Sequence, residues 1–383
     1  MNRTTSHDLS SSSRFGFCDL LRALACLMVF WDHNGPMRFP DWRGTQLVRT
    51  YICNPLGVIE DFGNMGVMLF FLISGFLFAF SLEKSKQLVP MLLKRLIRIL
   101  VPLMAITVVF YGVQAVYGFM IGAPTYFAQF GFGDWFQSAT LLSYFLSHPD
   151  AIYGVTWFLV PLIVFQLLGT LSYGLMRRRE LPCCLLMTVG FMALFWAVGR
   201  FPGCFGILSY LQYLPVLLSG CILYWYRREC FSRKSAGMLL ALTFTVFLAL
   251  CRRCSPDRFS VPESIPLQFF WGAAIFIIVM LLDAQKPFSV PGSVLLLARI
   301  SFGVYLGQMT FGALALDAAL RLWPAIPLGL AILVSFLLTI LIAAAFHQWI
   351  EKPLGAFLAS CQKARRYEQN TSSPGELRKK VSQ

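Results

Sequence analysis

Charged side chains are scarce in this chain of 383 residues. Asp, Glu, Lys and Arg together make up 13% of it, about half of their share in a typical globular protein. Hydrophobic residues make up 57%. A water-soluble fold could not cover so much apolar surface with so few polar groups. This composition excludes a soluble enzyme and a disordered chain, and it indicates a protein of the lipid bilayer.

Two chemistries lack their motifs. The sequence contains no Gly-x-Ser-x-Gly motif, so hydrolysis by a Ser-His-Asp triad finds no support. The 11 cysteines are an odd number, and most lie in apolar runs, so we expect buried thiols rather than a disulfide framework. Cys251 and Cys254 form a C-x-x-C without a second pair at zinc spacing. We therefore expect no metal site.

Acidic residues are few compared with basic ones, 18 against 32. Such a surplus in a soluble protein would suggest a nucleic-acid partner. In a membrane protein Lys and Arg collect in the cytoplasmic loops. We therefore expect no nucleic acid as partner and use the basic segments to orient the chain.

Long apolar segments recur along the sequence, and they predict an all-α polytopic membrane protein with about ten transmembrane helices. The predicted spans are 17–34, 62–82, 99–121, 153–176, 182–199, 205–226, 235–251, 266–283, 293–316 and 325–349. Most Lys and Arg then fall on one side, which predicts that both termini are cytoplasmic. We expect a disordered tail over 1–14, a transmembrane domain over 15–356 and a basic cytoplasmic tail over 357–383.

The first predicted span carries ionisable residues, which are costly inside a membrane and often functional. Arg22 and His33 are eleven residues apart, close to three helical turns, so they share a face. Asp19 lies three residues before Arg22, where it can neutralise the guanidinium. The alternatives are an arginine that reaches the headgroups and a histidine that caps the helix or lies at the interface. A second candidate is Glu351, which shares a helix face with His347.

A basic cluster precedes the third span. Lys94, Arg95 and Arg98 recur at steps of three or four residues, so they form one helical face at the cytoplasmic side. Guanidinium groups suit phosphate oxygens. An ordinary topogenic cluster or a contact with anionic lipid is the alternative.

Six segments together resemble the membrane-bound acyltransferase-3 family, which includes polysaccharide O-acetylases. Its R-x10-H signature falls on Arg22 and His33. The other segments follow in family order: GVMLFFLISGFLFAF (66–80), RLIRILVP (95–102), TWFLVPL (156–162), ISFGVYLGQ (300–308) and WIEKPL (349–354). The resemblance therefore covers nearly the whole chain. Gln308 departs from the pattern, because many members have His there.

The resemblance implies an O-acyltransferase of the inner cell membrane. It would transfer an acyl group, usually acetyl from cytoplasmic acetyl-CoA, to a hydroxyl of a cell-surface or envelope carbohydrate. Arg95, Arg98 and Lys94 would hold the CoA phosphates, with a contribution from Arg22. His33 would be the general base or a transient acyl carrier.

Four further residues are candidates for substrate binding: Trp157, Glu351, Ser74 and Asp19. Each has a structural alternative. Glu351 is also typical of a helix-end carboxylate bonded to a nearby Arg, and Asp19 of a carboxylate that neutralises Arg22. Trp157 is also typical of a membrane-interface anchor, and Ser74 beside Gly75 is also typical of close helix packing.

The main alternative function is a transporter or flippase for a glycan or a lipid-linked sugar, which would also line a cavity with ionisable residues. A sensor or scaffold whose basic tail binds lipid or a partner is a third hypothesis. The motifs that recur in family order favour the enzyme.

Overall fold

Helices form the framework of the protein. The computed structural model describes residues 15–58, 62–122, 126–146, 154–198, 200, 205–254 and 265–371, and these residues contain helices and no strand. The predicted tail over 1–14 and residues 372–383 lie outside the described residues. The all-α prediction is confirmed for the described part of the chain.

Seventeen α-helices are assigned among the described residues. The first nine are α1 (Gly16–Asn34), α2 (Arg43–Val48), α3 (Asn54–Leu56), α4 (Phe62–Lys84), α5 (Leu88–Ile121), α6 (Phe132–Ala139), α7 (Leu142–Leu146), α8 (Leu159–Leu175) and α9 (Glu180–Val198). The others are α10 (Phe205–Leu211), α11 (Leu214–Arg227), α12 (Arg233–Cys254), α13 (Ile265–Gln285), α14 (Gly292–Gly307), α15 (Phe311–Leu322), α16 (Leu328–Phe346) and α17 (Lys352–Thr371).

Seven helical segments in the described part of the chain are long and apolar enough to cross a membrane. The pair α14 and α15, which is bent by 71° at a short break, passes the same test only when the two helices are taken together. Two predicted spans differ from these. The first is 17–34, because three of the 19 residues of α1 are Asp or Arg, which is too much charge for the same test. The second is 205–226, which is divided into α10 and α11 because the chain leaves helical geometry at Gln212 and Tyr213.

Two helices are longer than their predicted spans. The span predicted over 99–121 begins in the structure at Leu88, so the basic cluster belongs to the 34-residue helix α5. The last span continues through a π-helical turn, His347–Glu351, into α17, which reaches Thr371 and so enters the predicted tail. Hydropathy underestimated both lengths because it ends a span where charged residues begin. The helices continue through those residues, since Lys and Arg are good helix formers.

The chain divides into two compact units, one of residues 1–77 and 216–301 and the other of 78–215 and 302–383. In the first unit α4 and α11 cross closely. A Cβ on Gly75 would overlap the carbonyl oxygen of Leu217, and a Cβ on Gly220 would overlap that of Leu72. The Cys221 thiol donates to the Gly75 carbonyl oxygen over 3.1 Å. Small residues thus allow backbone-to-backbone packing.

The second unit has aromatic and small-residue contacts between long helices. The rings of Phe78 and Phe165 are 5.5 Å apart, and those of Phe110 and Phe311 are 5.1 Å apart. The helices α15 and α16 pack side by side, and the Ser335 hydroxyl donates to a backbone carbonyl of α15 over 2.7 Å. These contacts fix the helices that carry the candidate site residues of this unit.

Candidate active site

The Arg22 and His33 side chains lie on a buried face of α1. Cys26 and Val29, which lie between them at steps of three or four residues, are 2% and 1% exposed. Side chains at these steps share one helical face, so the face is directed into the protein and not toward lipid. The helix is continuous from Gly16 to Asn34, which separates the two residues by about 16 Å along the axis.

Asp19 and Arg22 form the ion pair that their spacing predicts. Nη1 of Arg22 lies 4.0 Å from Oδ1 of Asp19, and the two side chains are 35% and 8% exposed. The Arg22 side chain is therefore half-buried, whereas its partner carboxylate is buried. This arrangement lowers the cost of a charge on an otherwise apolar helix.

His33 is half-buried in the last turn of α1, and its Nδ1 atom is buried. The neighbouring Asp32 is directed toward α4, because a Cβ on Gly63 would overlap its carboxylate. Adjacent helix positions point about 100° apart. The structure therefore gives Asp32 a packing position next to α4.

A second ion pair in the first unit was not singled out from the sequence. Nη2 of Arg227 lies 2.8 Å from Oδ2 of Asp283, and the guanidinium lies 5.0 Å from the centre of the Phe17 ring. The sequence signal for this pair is Asp283, a carboxylate at the end of a predicted span, which is a costly position.

Arg95 is held between three helices of the second unit. Its Nε donates to Oε1 of Gln166 over 3.2 Å, and its Nη1 donates to the Ser81 hydroxyl over 2.9 Å. The guanidinium also lies 5.3 Å from the centre of the Phe78 ring. Arg95 thus has a packing role besides any role toward phosphate, and Gln166, only 1% exposed, is the partner that sequence reasoning missed.

Lys94 and Arg98 lie on the same end of α5 in different surroundings. Arg98 is exposed, whereas Lys94 is half-buried. Nη2 of Arg98 would lie 3.9 Å from a Cβ on Gly355, so it is next to α17. Gly355 is four residues after Glu351, so Arg98 lies close to the helical segment that carries Glu351.

Glu351 lies in the π-helical turn and pairs with a histidine. Its Oε2 atom is 2.6 Å from Nδ1 of His347, and the side chains are 17% and 32% exposed. His347 and Glu351 thus share a helical face, as predicted, and the imidazole is the partner of the Glu351 carboxylate. Single π-helical turns are frequent at functional sites, which adds a structural reason to keep Glu351 as a candidate.

Trp157 belongs to an aromatic cluster in the 3₁₀ turn before α8. Its ring is stacked on that of Tyr210 at 5.8 Å and tilted against that of Tyr213 at 5.1 Å. Tyr144 packs edge-on against Tyr210 at 5.2 Å, and its hydroxyl lies 2.9 Å from that of Thr156. Tyr144 and Tyr210 belong to separate helices and Tyr213 to the turn after α10, so the sequence alone did not link them to Trp157.

Ser74 is half-buried in the middle of α4, one residue before the crossing at Gly75. The close approach of backbones explains the small residue at 75, as the packing alternative predicted. The contact between Ser74 and substrate stays a prediction.

The fold and these residues define an integral membrane protein with buried ionisable groups, and comparison with known proteins identifies its class. The model of the acyltransferase-3 family, described as an acyltransferase domain, matches residues 15–348. The chain therefore belongs to this family and is a membrane acyltransferase. Comparison with curated proteins and with solved structures gives no match.

Proposed function

We propose that this membrane acyltransferase transfers an acetyl group from cytoplasmic acetyl-CoA to a hydroxyl of a cell-surface or envelope carbohydrate. Succinyl-CoA is the alternative short-chain donor. The protein would act in the inner cell membrane. The observation that carries the proposal is the buried face of α1, which holds Arg22 and His33 in a chain whose family transfers acyl groups.

His33 would act as general base in a direct transfer. The acceptor hydroxyl gives its proton to the neutral imidazole, its oxygen attacks the carbonyl carbon, and the C–S bond breaks. The CoA thiolate then takes up the proton. A neutral imidazole is favoured in an apolar site because burial disfavours the charged form. The buried Cys26 and Val29 on the same face support such surroundings.

The alternative is a covalent route in which a ring nitrogen of His33 attacks the thioester carbonyl carbon, the C–S bond breaks and CoA leaves as the thiolate. The acceptor hydroxyl then attacks the acyl-imidazole, the C–N bond breaks, and the thiolate takes up the hydroxyl proton. A donor on one side of the membrane and an acceptor on the other would favour a carrier. The two routes differ in one observable. Incubation with labelled acetyl-CoA and no acceptor, followed by rapid denaturation, leaves label on the wild-type protein only in the covalent route, and His33→Ala removes it.

The donor phosphates would be bound at the cytoplasmic end of α5. Arg98 is the most accessible of the three predicted residues, so it is the principal candidate for a phosphate contact. Lys94 adds positive charge, and Arg95 contributes while it also holds Gln166. Acetyl-CoA is thus a substrate, and no metal is invoked.

The acceptor would be bound by Trp157 and by the polar candidates. An indole ring such as that of Trp157 can stack on the C–H face of a sugar. The hydroxyls of Tyr144 and Thr156 belong to the same aromatic cluster and could contact the sugar hydroxyls. Glu351 and Ser74 are proposed as further polar contacts for substrate. Asp19 would act through Arg22, its ion-pair partner.

Mass spectrometry of envelope glycans tests the proposal in cells that express the wild-type protein, no protein, or His33→Ala. We expect glycans that differ by one acetyl group between the first two. We expect His33→Ala to reduce acetylation about 100- to 10,000-fold, the usual contribution of a general base.

Leu27→Ala is the matched control, because Leu27 lies on the same helix and is 44% exposed. It should leave acetylation close to the wild-type level at equal protein abundance. Identical spectra with and without the protein would contradict the proposal. Glycans that cross the membrane without a change of mass would instead support the transporter.

A further inference from the structure

The broken span formed by α14 and α15 contains a buried helix end that no side chain caps. The first residues of α15, Phe311 and Ala313, are 6% and 7% exposed, and no side chain caps this N-terminus. The first N–H groups of a helix have no acceptor within it. A buried end of this kind therefore needs an oxygen atom from elsewhere.

Thr310, at the N-cap position, does not supply that oxygen. Its hydroxyl donates backward to the carbonyl oxygens of Leu306 and Gly307, both over 3.1 Å. The Ser335 hydroxyl contacts α15 as a donor, to the carbonyl oxygen of Gly312. Both hydroxyls thus act as donors toward carbonyl groups, and the N-terminus of α15 has no side-chain cap.

Gln308 lies in the break and is 1% exposed. Both of its amide atoms, Nε2 and Oε1, are buried without a hydrogen-bond partner among the described residues. A buried, unsatisfied amide costs free energy, so it calls for an explanation such as a bound ligand or water. The amide and the helix end are two independent signs of the same missing partner.

We propose that the break binds the thioester end of the acyl donor, with Gln308 and the first turn of α15 donating to the acyl carbonyl oxygen. This inference rests on the proposed function. A helix N-terminus favours a partly negative oxygen, and discontinuous helices commonly form substrate sites in membrane proteins. An acyl-CoA also offers a donor for Oε1, because an amide N–H lies four bonds from its carbonyl carbon.

Such a site would favour the transition state over the ground state. Negative charge develops on the carbonyl oxygen when the acceptor hydroxyl attacks, and fixed N–H donors stabilise that charge. Gln308 is therefore proposed as a residue that touches the reacting group. This gives a chemical reason for an amide at a position where the family motif often has His, since both side chains can donate an N–H.

The test uses the full-length protein in lipid nanodiscs with acetyl-CoA and with free CoA as probes, and it needs no acceptor. Gln308→Met removes both amide atoms at similar volume. We expect it to weaken acetyl-CoA affinity about tenfold, the loss of about one hydrogen bond, and free CoA affinity by less. With carbonyl-¹³C acetyl-CoA, the infrared C=O stretch of the bound donor should lie at higher frequency in the variant than in the wild type.

Two further variants serve as controls. Gln268→Met changes the other glutamine whose buried amide atoms both lack a partner in the described structure. Gln268 lies within the unbroken helix α13, so its replacement should leave both affinities and the infrared band unchanged. Gln308→His restores an N–H donor and should recover part of the preference for acetyl-CoA over free CoA.

The outcomes separate the inference from the proposed function. A wild-type protein that does not bind acetyl-CoA would contradict the proposed donor and the inference with it. Binding with the same preference and the same infrared band in Gln308→Met would contradict the inference alone and would indicate a buried water in the break. A lower thermal midpoint for Gln308→Met would also contradict it, because that result would assign the amide a structural role.

Discussion

Asp283 uses both of its carboxylate oxygens. Oδ2 accepts from Arg227 over 2.8 Å, and Oδ1 accepts the backbone N–H of Phe288 over 3.1 Å. Asp283 is 5% exposed, so its charge depends on these partners. Asp283 thus connects the end of α13 to the end of α11 through Arg227, and to the segment after α13 through Phe288.

Removal of the Asp283 charge should therefore destabilise the first unit. We expect Asp283→Asn to lower the free energy of unfolding by roughly 3 kcal/mol, because it leaves the Arg227 guanidinium without its carboxylate. Thermal unfolding in detergent would measure the loss. The double variant Asp283→Leu with Arg227→Met should recover part of it. Equal midpoints for Asp283→Asn and the wild type would contradict this account.

The crossing of α4 and α11 should be sensitive to a single methyl group. Gly220→Ala places a Cβ against the backbone of Leu72 and Phe76, so we expect a loss of about 1–3 kcal/mol from overpacking. Gly237→Ala is the matched control, since nothing lies within 4 Å of its Cβ position in α12. That change should be neutral or stabilise by up to about 1 kcal/mol. Thermal midpoints that fall equally in both variants would oppose the interpretation.

The two possible roles of Arg95 can be separated through its partner. Gln166→Leu removes the hydrogen bond to Nε but keeps the guanidinium, so it should lower stability by about 1.5–3 kcal/mol and change acetyl-CoA affinity little. Arg98→Ala should do the reverse, because Arg98 is exposed and its main effect is the loss of a charge for phosphate. Arg95→Ala should lower both quantities.

Titration of acetyl-CoA and thermal unfolding on the same preparations check this pattern. Unchanged affinity in both Arg95→Ala and Arg98→Ala would remove these residues from the proposed donor site.

The sequence was sufficient for the all-α class and for the i,i+3 pair of Asp19 and Arg22, because apolar runs and helical spacing are local properties. It was also sufficient to place Arg22 and His33 on one face. Burial of that face was not predictable, since it depends on which helices pack against α1. The burial of Cys26 and Val29 gives that information.

Partners distant in sequence were missed for the same reason. Gln166 is 71 residues from Arg95, and Asp283 is 56 residues from Arg227, so no local spacing connects them. The break at Gln308 was also missed. The predicted span over 293–316 is apolar on average, and hydropathy does not detect a bend of 71°.

The length of α5 has a consequence for how the protein meets water. Its 34 residues extend over about 51 Å, whereas the hydrocarbon layer is about 30 Å thick. The helix is therefore long enough for its first three turns, which include Lys94 and Arg98, to extend beyond that layer. A polyanionic solute could bind to these basic side chains from the aqueous phase without entering the hydrocarbon layer. Its association rate would fall steeply as ionic strength rises.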